Sequence, residues 1–339
     1  MSENLEFFRD TVERILTDTL EYDAFLHAEL SDTIPSALIA ALIENGIFLA
    51  LVPEELGGVG ADLADGAAIA RAFGDAAAPG PLVETLAANA ILAAAGIEPV
   101  EGLATLSFAG GEAAVPAVLH DVPWGGVAEA VVVVTRTANG AQVALTKGSD
   151  WTASAGKDPA GERRDCLTAY AGTPVVGTIA DGSAPLRTAS LLRAAQQLGA
   201  IEWSFRRSVE YAGERKQFGR EISKFQAVQQ MLAELAGHVL ATAGIVEAAA
   251  SNPAETLVAA ARSRLGDAAD STITITHQVH GALGFSREYA LNARTRRLMA
   301  WRDDFGSIPM WRVALAAQYT GLSRDKFWPA VSDAANAAA

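Results

Sequence analysis

One stretch of this chain carries side chains that could hold a negatively charged cofactor. Residues 211–229 read Tyr-Ala-Gly-Glu-Arg-Lys-Gln-Phe-Gly-Arg-Glu-Ile-Ser-Lys-Phe-Gln-Ala-Val-Gln, which predicts a turn on Gly219 between two helices. The turn brings together Arg215, Gln217 and Phe218. An Arg guanidinium matches phosphate oxygens, Gln offers a donor and an acceptor, and the Phe ring offers a face to an adenine or flavin. The pattern predicts a dinucleotide grip; the alternative is a solvated turn, because charges are common at helix ends.

The wording of this stretch resembles a family motif. Arg-Lys-Gln-Phe-Gly, followed by Ile222 and the pair Phe225-Gln226, is similar to the acyl-CoA dehydrogenase segment that holds the flavin adenine dinucleotide (FAD) of a neighbouring subunit. Residues 278–285, Gln-Val-His-Gly-Ala-Leu-Gly-Phe, resemble the second flavin-contacting segment. Residues 52–58, Val-Pro-Glu-Glu-Leu-Gly-Gly, resemble a loop of the N-terminal helical domain. The three motifs keep the family's order across most of the chain.

The resemblance implies FAD as cofactor, an acyl-CoA thioester as substrate and an electron-transfer flavoprotein as acceptor. It assigns these residues to the adenosine and pyrophosphate end of FAD: Arg215, Gln217, Phe218, Gln226, Gln278, Val279, His280, Gly281 and Ala282.

Several other polar residues in the same half of the chain carry weaker expectations. His277 and His280 could share a helix face, but no third ligand lies nearby in the sequence, so no metal site is predicted. Arg294, Arg296 and Arg297 either meet the phosphates of CoA or form ion pairs between helices.

The catalytic base of the family is missing from its usual position. In the family a Glu removes the α-proton of the thioester, a task that needs a carboxylate with a suitable pKa. That position falls on Phe305, and the alternative position on the first bundle helix falls near Ala189. Asp303 and Asp304 are the nearest carboxylates. Asp304 is the weak candidate for a replacement base, because a shift of one residue turns a helical side chain by about 100°; otherwise it is an ordinary helix-end carboxylate.

The central region departs from the family as well. The family's Thr-Glu-Pro…Gly-Ser-Asp loop and Trp-Ile-Thr/Ser strand, which surround the flavin ring, are absent, and residues 119–124 and 148–151 are only faintly similar to them. A chain that keeps the phosphate-gripping turns but lacks the ring pocket and the base resembles the smaller subunit of actinobacterial heteromeric α2β2 acyl-CoA dehydrogenases that act on steroid side-chain thioesters. The resemblance implies a partner subunit that carries the catalytic Glu and shares one FAD with this chain.

Two other functions stay open at this point. One is a self-sufficient homo-oligomeric acyl-CoA dehydrogenase that uses Asp304 as its base. The other is a non-catalytic assembly subunit that stabilises its partner without touching the flavin.

Composition indicates a soluble, cytoplasmic protein with a small anionic ligand. The formal net charge of −14 disfavours nucleic acid as a partner. Basic residues nevertheless outnumber acidic ones in Arg187–Lys224 and in Phe285–Arg302, beside the two flavin motifs. The single cysteine, Cys166, excludes an internal disulfide, and the N-terminus lacks the pattern of a signal peptide. No apolar stretch reaches the ~20 residues of a membrane helix, so no membrane partner is expected.

Hydrophobic periodicity predicts an α, β, α order along the 339 residues. The expected domains are an N-terminal helical domain (1–103), a reduced central β domain (104–184), a C-terminal helical bundle (185–330) and a tail (331–339). The fold class is mainly α with a small central β domain. This order is similar to the acyl-CoA dehydrogenase fold, with its N-terminal helical domain, β-barrel-like middle domain and C-terminal four-helix bundle.

The individual elements follow from apolar spacing and from turn residues such as Asn139-Gly140, a hairpin signal. Helices are predicted at 3–21, 35–44, 62–73, 82–95, 186–214, 222–250, 253–283 and 287–301, with a last one from Pro309. Strands are predicted at 106–109, 113–119, 130–135, 141–146, 166–170 and 174–179.

Overall fold

The computed structural model describes residues 3–31 and 33–336. They form two compact units. The first contains the described residues up to Phe73 together with Ala78–Leu192, and the second contains Gly74–Ala77 and the described residues from Arg193 onward. The chain passes between the units inside the helix Leu63–Ala76, again between Ala77 and Ala78, and finally inside the long helix Ala184–Glu214.

The first unit begins with helices, whose bounds are α1 Glu3–Thr19, α2 Tyr22–Ser31, α3 Ser36–Glu44, α4 Leu63–Ala76 and α5 Leu82–Ala94. The apolar spacing that predicts α1 is confirmed, since Phe8, Val12 and Ile15 are all buried. α2 was not predicted, because its amphipathic pattern is weak: it buries Phe25 and Ala28. The end of α4 belongs to the second unit.

The loop that resembles the family's N-terminal motif is a tight turn. Glu54–Leu56 form one turn of 3₁₀ helix, and Gly57 follows with a φ of 82°. At Gly58 an added Cβ would lie 2.1 Å from the carbonyl oxygen of Val52, so this close approach of backbone requires glycine. The glycine pair of the motif is therefore explained by local geometry.

Seven short strands form two sheets in the first unit. The strands are β1 Ala104–Ala109, β2 Val118–Pro123, β3 Ala130–Thr137, β4 Gly140–Lys147, β5 Thr152–Ser154, β6 Arg164–Thr168 and β7 Val175–Ile179. One sheet has the order β1-β3-β4-β7 and the other the order β2-β6-β5. β1 runs parallel to β3, and the other pairs are antiparallel. Their shared core contains Leu119, Val131, Val133, Trp151 and Leu167.

Two strand predictions need correction. The hairpin between β3 and β4 is confirmed, but Thr137 pairs with Gly140, so its turn residues are Ala138 and Asn139, one position earlier than predicted. The strand predicted at 113–119 is wrong over most of its length, because β2 runs from Val118 to Pro123. Pro116 has no backbone N–H to give to a strand ladder, which accounts for the shift.

The second unit is helical apart from one small hairpin. After α6 Ala184–Glu214, its elements are β8 Lys216–Gln217, β9 Arg220–Glu221, α7 Gln226–Ser251, α8 Glu255–His280, α9 Ala290–Trp301, α10 Ile308–Tyr319 and α11 Arg324–Asn336. α7 and α10 both pack against α8. The predicted start of α7 at Ile222 is wrong, since residues 222–224 form a 3₁₀ turn and Phe225 is extended. α10 begins after Ser307, whose side chain accepts from the backbone of Met310 and caps the helix.

α7 departs from the expectation that no segment has the character of a membrane span. Among the described residues it is the one unbroken helix that is long and apolar enough to cross a membrane. The same helix buries Leu235, Val239 and Val246 in the second unit. Its exposed residues include Leu240, which is 73% exposed.

Candidate functional site

The segment predicted to grip a dinucleotide forms a hairpin between α6 and α7. Lys216 pairs with Glu221 and Gln217 with Arg220. The two turn residues, Phe218 and Gly219, have φ values of 52° and 81°, as two-residue hairpin turns require. The predicted turn on Gly219 is confirmed. Of the side chains assigned to FAD here, those of Arg215, Gln217, Phe218 and Gln226 are all exposed.

Phe218 is held in a conformation that aromatic residues rarely adopt. Its φ is positive and its side chain is 92% exposed. The ring meets Phe225 edge-on at 6.2 Å, and the Arg220 guanidinium lies 4.2 Å from the centre of the Phe225 ring. Backbone strain in a surface residue is typical of functional sites. The strain therefore supports a binding role for the exposed Phe218 ring.

Phe218→Gly is expected to stabilise the chain and weaken its grip on flavin. A left-handed conformation costs a bulky residue about 1–2 kcal/mol, and glycine removes this cost. Glycine also loses more backbone entropy on folding, which offsets about 0.5–1 kcal/mol of the stabilisation. We expect a net gain of about 0.5–1 kcal/mol in the free energy of unfolding, measured by urea titration. The matched control is Phe7→Gly, another exposed Phe but within α1, where glycine should destabilise. A lower stability for Phe218→Gly would contradict the strain argument.

The second predicted flavin segment lies where α8 ends. Gln278, Gly281 and Ala282 are exposed, whereas Val279 and His280 are buried, at 6% and 3% exposure. Gly281 has φ 60° and ψ −142°, a combination that favours glycine. The structure thus places three of these five residues at the surface and the side chains of the other two inside.

One apolar cluster holds the two segments together. It is formed by Ala212, Leu235, Ile275 and Val279, and Ile222 packs against it. In addition, the Tyr211 ring stacks on the His280 ring, with centroids 4.4 Å apart and planes 21° apart. Sequence reasoning placed both segments at one cofactor without saying how they meet. The structure shows that they meet through this cluster and this ring stack.

Hydrogen bonding fixes the form of the His280 ring. Its Nδ1 lies 2.8 Å from the carbonyl oxygen of Thr276 and must donate, because a carbonyl only accepts. Its Nε2 is buried without a hydrogen-bond partner in the described part of the chain. Burial lowers the pKa of His280; the bond to Thr276 opposes this, and the charges of Arg207 and His277 lower the pKa further. The ring is therefore neutral at pH 7.

Two histidines near the end of α8, the half-buried His277 and the buried His280, should make the fold sensitive to mild acid. Burial lowers the pKa of His277 as well as that of His280. A histidine whose folded pKa lies below the unfolded value of about 6.5 contributes stability above that pH and loses it as the pH falls. We expect the free energy of unfolding to drop between about pH 7.5 and 5.5, by at most about 1.4 kcal/mol per pH unit for each such group. His280→Phe should flatten this slope; an unchanged slope would contradict the assignment.

Neither residue predicted to stand at the family's base position is a carboxylate. Phe305 has φ 54°, and Ala189 is fully buried. Asp304 forms an ion pair with Arg193, at 3.3 Å from Nη2 to Oδ2. The same Arg193 guanidinium lies 5.4 Å from the ring centres of both Trp301 and Phe305. A buried cation thus lies beside Phe305, the residue predicted to occupy the base position.

A second buried arginine, Arg262, forms hydrogen bonds to the backbone of residues 302–304. The Arg262 guanidinium donates to the carbonyl oxygens of Arg302 and Asp304, at 2.9 and 2.6 Å, and to Oε1 of Gln197 at 2.7 Å. Burial lowers the pKa of Arg262 to about 10, against the attraction of Asp304. Neither arginine was assigned a role from the sequence. The available signal was a lone Arg inside an Ala- and Leu-rich helical run, as at Leu191-Leu-Arg193-Ala-Ala.

Two of the three arginines of α9 are buried. Arg294 is buried, stacks 3.6 Å over Trp203 and donates to the carbonyl oxygen of Asp75. Arg297 is also buried, and Arg296 donates to Asn292. The assignment of these arginines to CoA phosphates or to ion pairs between helices stays a prediction. The described residues also contain no cluster of three or more His, Cys, Asp or Glu suited to a metal ion.

Known proteins resemble this chain in sequence. The family description of the acyl-CoA dehydrogenase N-terminal domain matches residues 2–98, and that of the C-terminal domain matches residues 183–325. The acyl-CoA dehydrogenase IpdE2 of Mycobacterium tuberculosis is 32% identical over 254 residues, covering 73% of this chain and 75% of that protein. IpdE2 of Mycolicibacterium smegmatis is 29% identical over 300 residues, covering 88% of this chain and 93% of that protein.

Solved structures share the fold, and the predicted fold class is confirmed. The ChsE4-ChsE5 complex from Mycobacterium tuberculosis has a chain that matches with a TM-score of 0.82 at 22% identity, covering 95% of this chain and 99% of that one. The Tcur3481-Tcur3483 steroid ACAD matches with a TM-score of 0.80 at 21% identity, covering 93% of this chain and 97% of that one. Butyryl-CoA dehydrogenase from Megasphaera elsdenii matches with a TM-score of 0.80 at 19% identity, covering 94% of this chain and 98% of that one. With these matches in sequence and in fold, the chain belongs to the acyl-CoA dehydrogenase family of FAD-dependent oxidoreductases that act on CH–CH bonds.

Proposed function

We propose that this chain is a subunit of a hetero-oligomeric acyl-CoA dehydrogenase and shares a FAD with a partner subunit that carries the catalytic Glu. The assembly, an α2β2 tetramer, introduces an α,β double bond into a steroid side-chain acyl-CoA and passes electrons to an electron-transfer flavoprotein. Bound FAD supplies the two-electron acceptor for this chemistry. This chain contributes contacts to the adenosine and pyrophosphate end.

The observation that carries the proposal is the pairing of Asp304 with the buried Arg193. Asp304 is adjacent to Phe305, the residue that the resemblance places at the position of the family's carboxylate. A carboxylate held by a guanidinium is stabilised in its charged form and is a poor acceptor for a proton from carbon. This pairing argues against the self-sufficient enzyme that would use Asp304 as its base.

The residues of the two flavin segments fit the nucleotide end of FAD. The hairpin exposes Arg215 and Gln217 as hydrogen-bonding groups and Phe218 as an apolar face. Gly281, with its positive φ, leaves the backbone open to close approach by a ligand. Net basic charge around the hairpin favours a ligand with phosphates. We assign Arg215, Gln217, Phe218, Gln226 and residues 278–282 to this end of the cofactor.

The surface of the second unit supports a partner chain. α7 is apolar but largely exposed, and Gly237 and Gly244 flank its exposed Leu240 about one turn away on each side. Large apolar side chains exposed elsewhere on this unit include Val313 and Trp328, both 69% exposed. Exposed apolar side chains that form a contiguous patch mark protein interfaces, and we assign these side chains to contacts with the partner. Two of the solved structures with this fold, ChsE4-ChsE5 and Tcur3481-Tcur3483, are described as pairs of named chains.

The decisive experiment compares this chain alone with this chain co-expressed with a second acyl-CoA dehydrogenase chain from the same organism. Alone, the chain should carry little FAD and should not oxidise a steroid side-chain acyl-CoA. The co-purified complex should be yellow, contain one FAD for each pair of chains, and reduce an electron-transfer flavoprotein. A Glu→Gln change at the base position of the partner should keep the flavin and abolish turnover. Full flavin occupancy of the isolated chain, with bleaching on addition of an acyl-CoA, would overturn the proposal.

A further inference from the structure

We infer that Tyr211 and His280 form a positioning pair that fixes the hairpin of residues 215–221 relative to residues 278–282, and thereby sets the affinity for the adenosine diphosphate end of FAD. The inference rests on the proposed function. Neither side chain reaches the cofactor in this role; each acts through the backbone that follows it.

Tyr211 is mechanically tied to the hairpin. It lies in the last turn of α6, and its carbonyl oxygen accepts from the backbone N–H of Arg215 at 2.8 Å. The carbonyl oxygen of Arg215 then accepts from the backbone N–H of Ile222, also at 2.8 Å, which closes the hairpin. A shift of the Tyr211 ring would therefore move the start of the segment that presents Arg215 and Gln217.

His280 is tied to the other segment in the same way. It is the last residue of α8, and the backbone leaves the helix at Gly281. Its side chain is 3% exposed, and its Nδ1 is fixed by the carbonyl oxygen of Thr276. With the side chain inside the protein, His280 can meet a surface ligand only through its backbone. The ring sets where residues 281–282 begin.

The stack is braced on its second side. The His280 ring also lies 5.4 Å from the Tyr289 ring, at 51°. The Tyr289 hydroxyl accepts from Nε of Arg207 at 2.9 Å, and the same guanidinium bonds to Glu210 and Glu214, each at 3.1 Å. Arg207, Glu210 and Glu214 all belong to α6 and lie within about one turn of Tyr211. The end of α6 therefore holds both rings that enclose His280, which makes the junction rigid.

The test measures flavin affinity in the complex of this chain with its partner, after removal of bound flavin. FAD and ADP are titrated into Tyr211→Leu, His280→Leu and the double variant. Loss of an aromatic pair should weaken binding of both probes by about tenfold in each single variant. The double variant should be no weaker than either single one, because both remove the same contact. If the two rings only stabilised the fold, the losses of FAD and ADP affinity in the single variants would add up in the double variant. They would also track the fall in melting temperature.

Further variants sharpen the result. Tyr211→Phe keeps the stack and should bind FAD within about twofold of the unchanged complex. Tyr319→Leu is the matched control, because the Tyr319 ring meets Phe327 edge-on at 5.6 Å instead, and it should leave FAD affinity unchanged. If a leucine variant does not fold, Tyr211→Met and His280→Met provide the same comparison with larger side chains.

Arg215→Ala separates failure of this inference from failure of the proposed function. If Arg215→Ala weakens FAD binding while Tyr211→Leu and His280→Leu do not, the positioning pair is refuted and the flavin-sharing subunit stands. Additive losses in the double variant refute the pair in the same way. If none of the three single variants changes FAD or ADP affinity, the flavin-sharing function and the positioning pair both fall.

Discussion

Asp304→Asn is expected to lower the free energy of unfolding by about 3–5 kcal/mol while leaving turnover per bound flavin in the hetero-oligomer unchanged. Asn keeps the size of the side chain but removes its charge. The Arg193 side chain is 2% exposed and that of Asp304 is 12% exposed, so water cannot replace the lost partner. Arg262, fully buried and also attracted to Asp304, would lose the same compensation.

The measurement is a urea titration of the isolated chain, followed by a turnover assay of the complex at a temperature where both proteins are folded. Asp303→Asn is the matched control, since Asp303 is 49% exposed and pairs with Arg302 at the surface. An exposed pair contributes about 0–1 kcal/mol, so this control should change little. Unchanged stability together with lost turnover in Asp304→Asn would instead identify Asp304 as the base.

The sequence predicts elements whose information is local. The helices of the second unit follow from apolar spacing, and the turn on Gly219 follows from a residue that tolerates positive φ. α2 escapes because two buried residues in ten make a weak periodic signal. The early start of α7 at Ile222 has a similar cause, because a 3₁₀ turn shows the same short-range spacing as an α-helix.

The parts of the site that sequence reasoning missed depend on contacts between distant residues. The register of a motif predicts Phe305 at the base position, but the pairing of Asp304 with Arg193 joins the turn after α9 to α6, far away in the chain. Likewise the sequence assigns His280 to the flavin-contacting segment, but the ring on which it stacks, that of Tyr211, depends on how α6 and α8 pack. Charge type and spacing alone do not distinguish a ligand-facing side chain from one that is packed inside.

Arg215→Ala is expected to weaken FAD binding in the complex by about 10- to 100-fold. A hydrogen bond between a guanidinium and a phosphate is charge-assisted and contributes about 1.5–3 kcal/mol, which corresponds to this range of dissociation constants. Arg215 is exposed, and its backbone groups already close the hairpin, so truncation of the side chain should leave the fold intact. Arg215→Lys keeps the charge but loses the planar fork of donors. Its FAD affinity should lie between that of the unchanged complex and that of Arg215→Ala.

The control for this change is Arg220→Ala on the same hairpin. It removes an equal charge, so any loss that both variants share is the long-range attraction of the basic surface for phosphates, which salt screens. The Arg220 guanidinium is occupied by the Phe225 ring at 4.2 Å, so we expect a small, salt-sensitive loss of FAD affinity for Arg220→Ala. The excess loss in Arg215→Ala should persist at high salt, because a direct contact is screened less. If Arg215→Ala left flavin content and affinity equal to those of Arg220→Ala, the chain would be an assembly subunit without flavin contact.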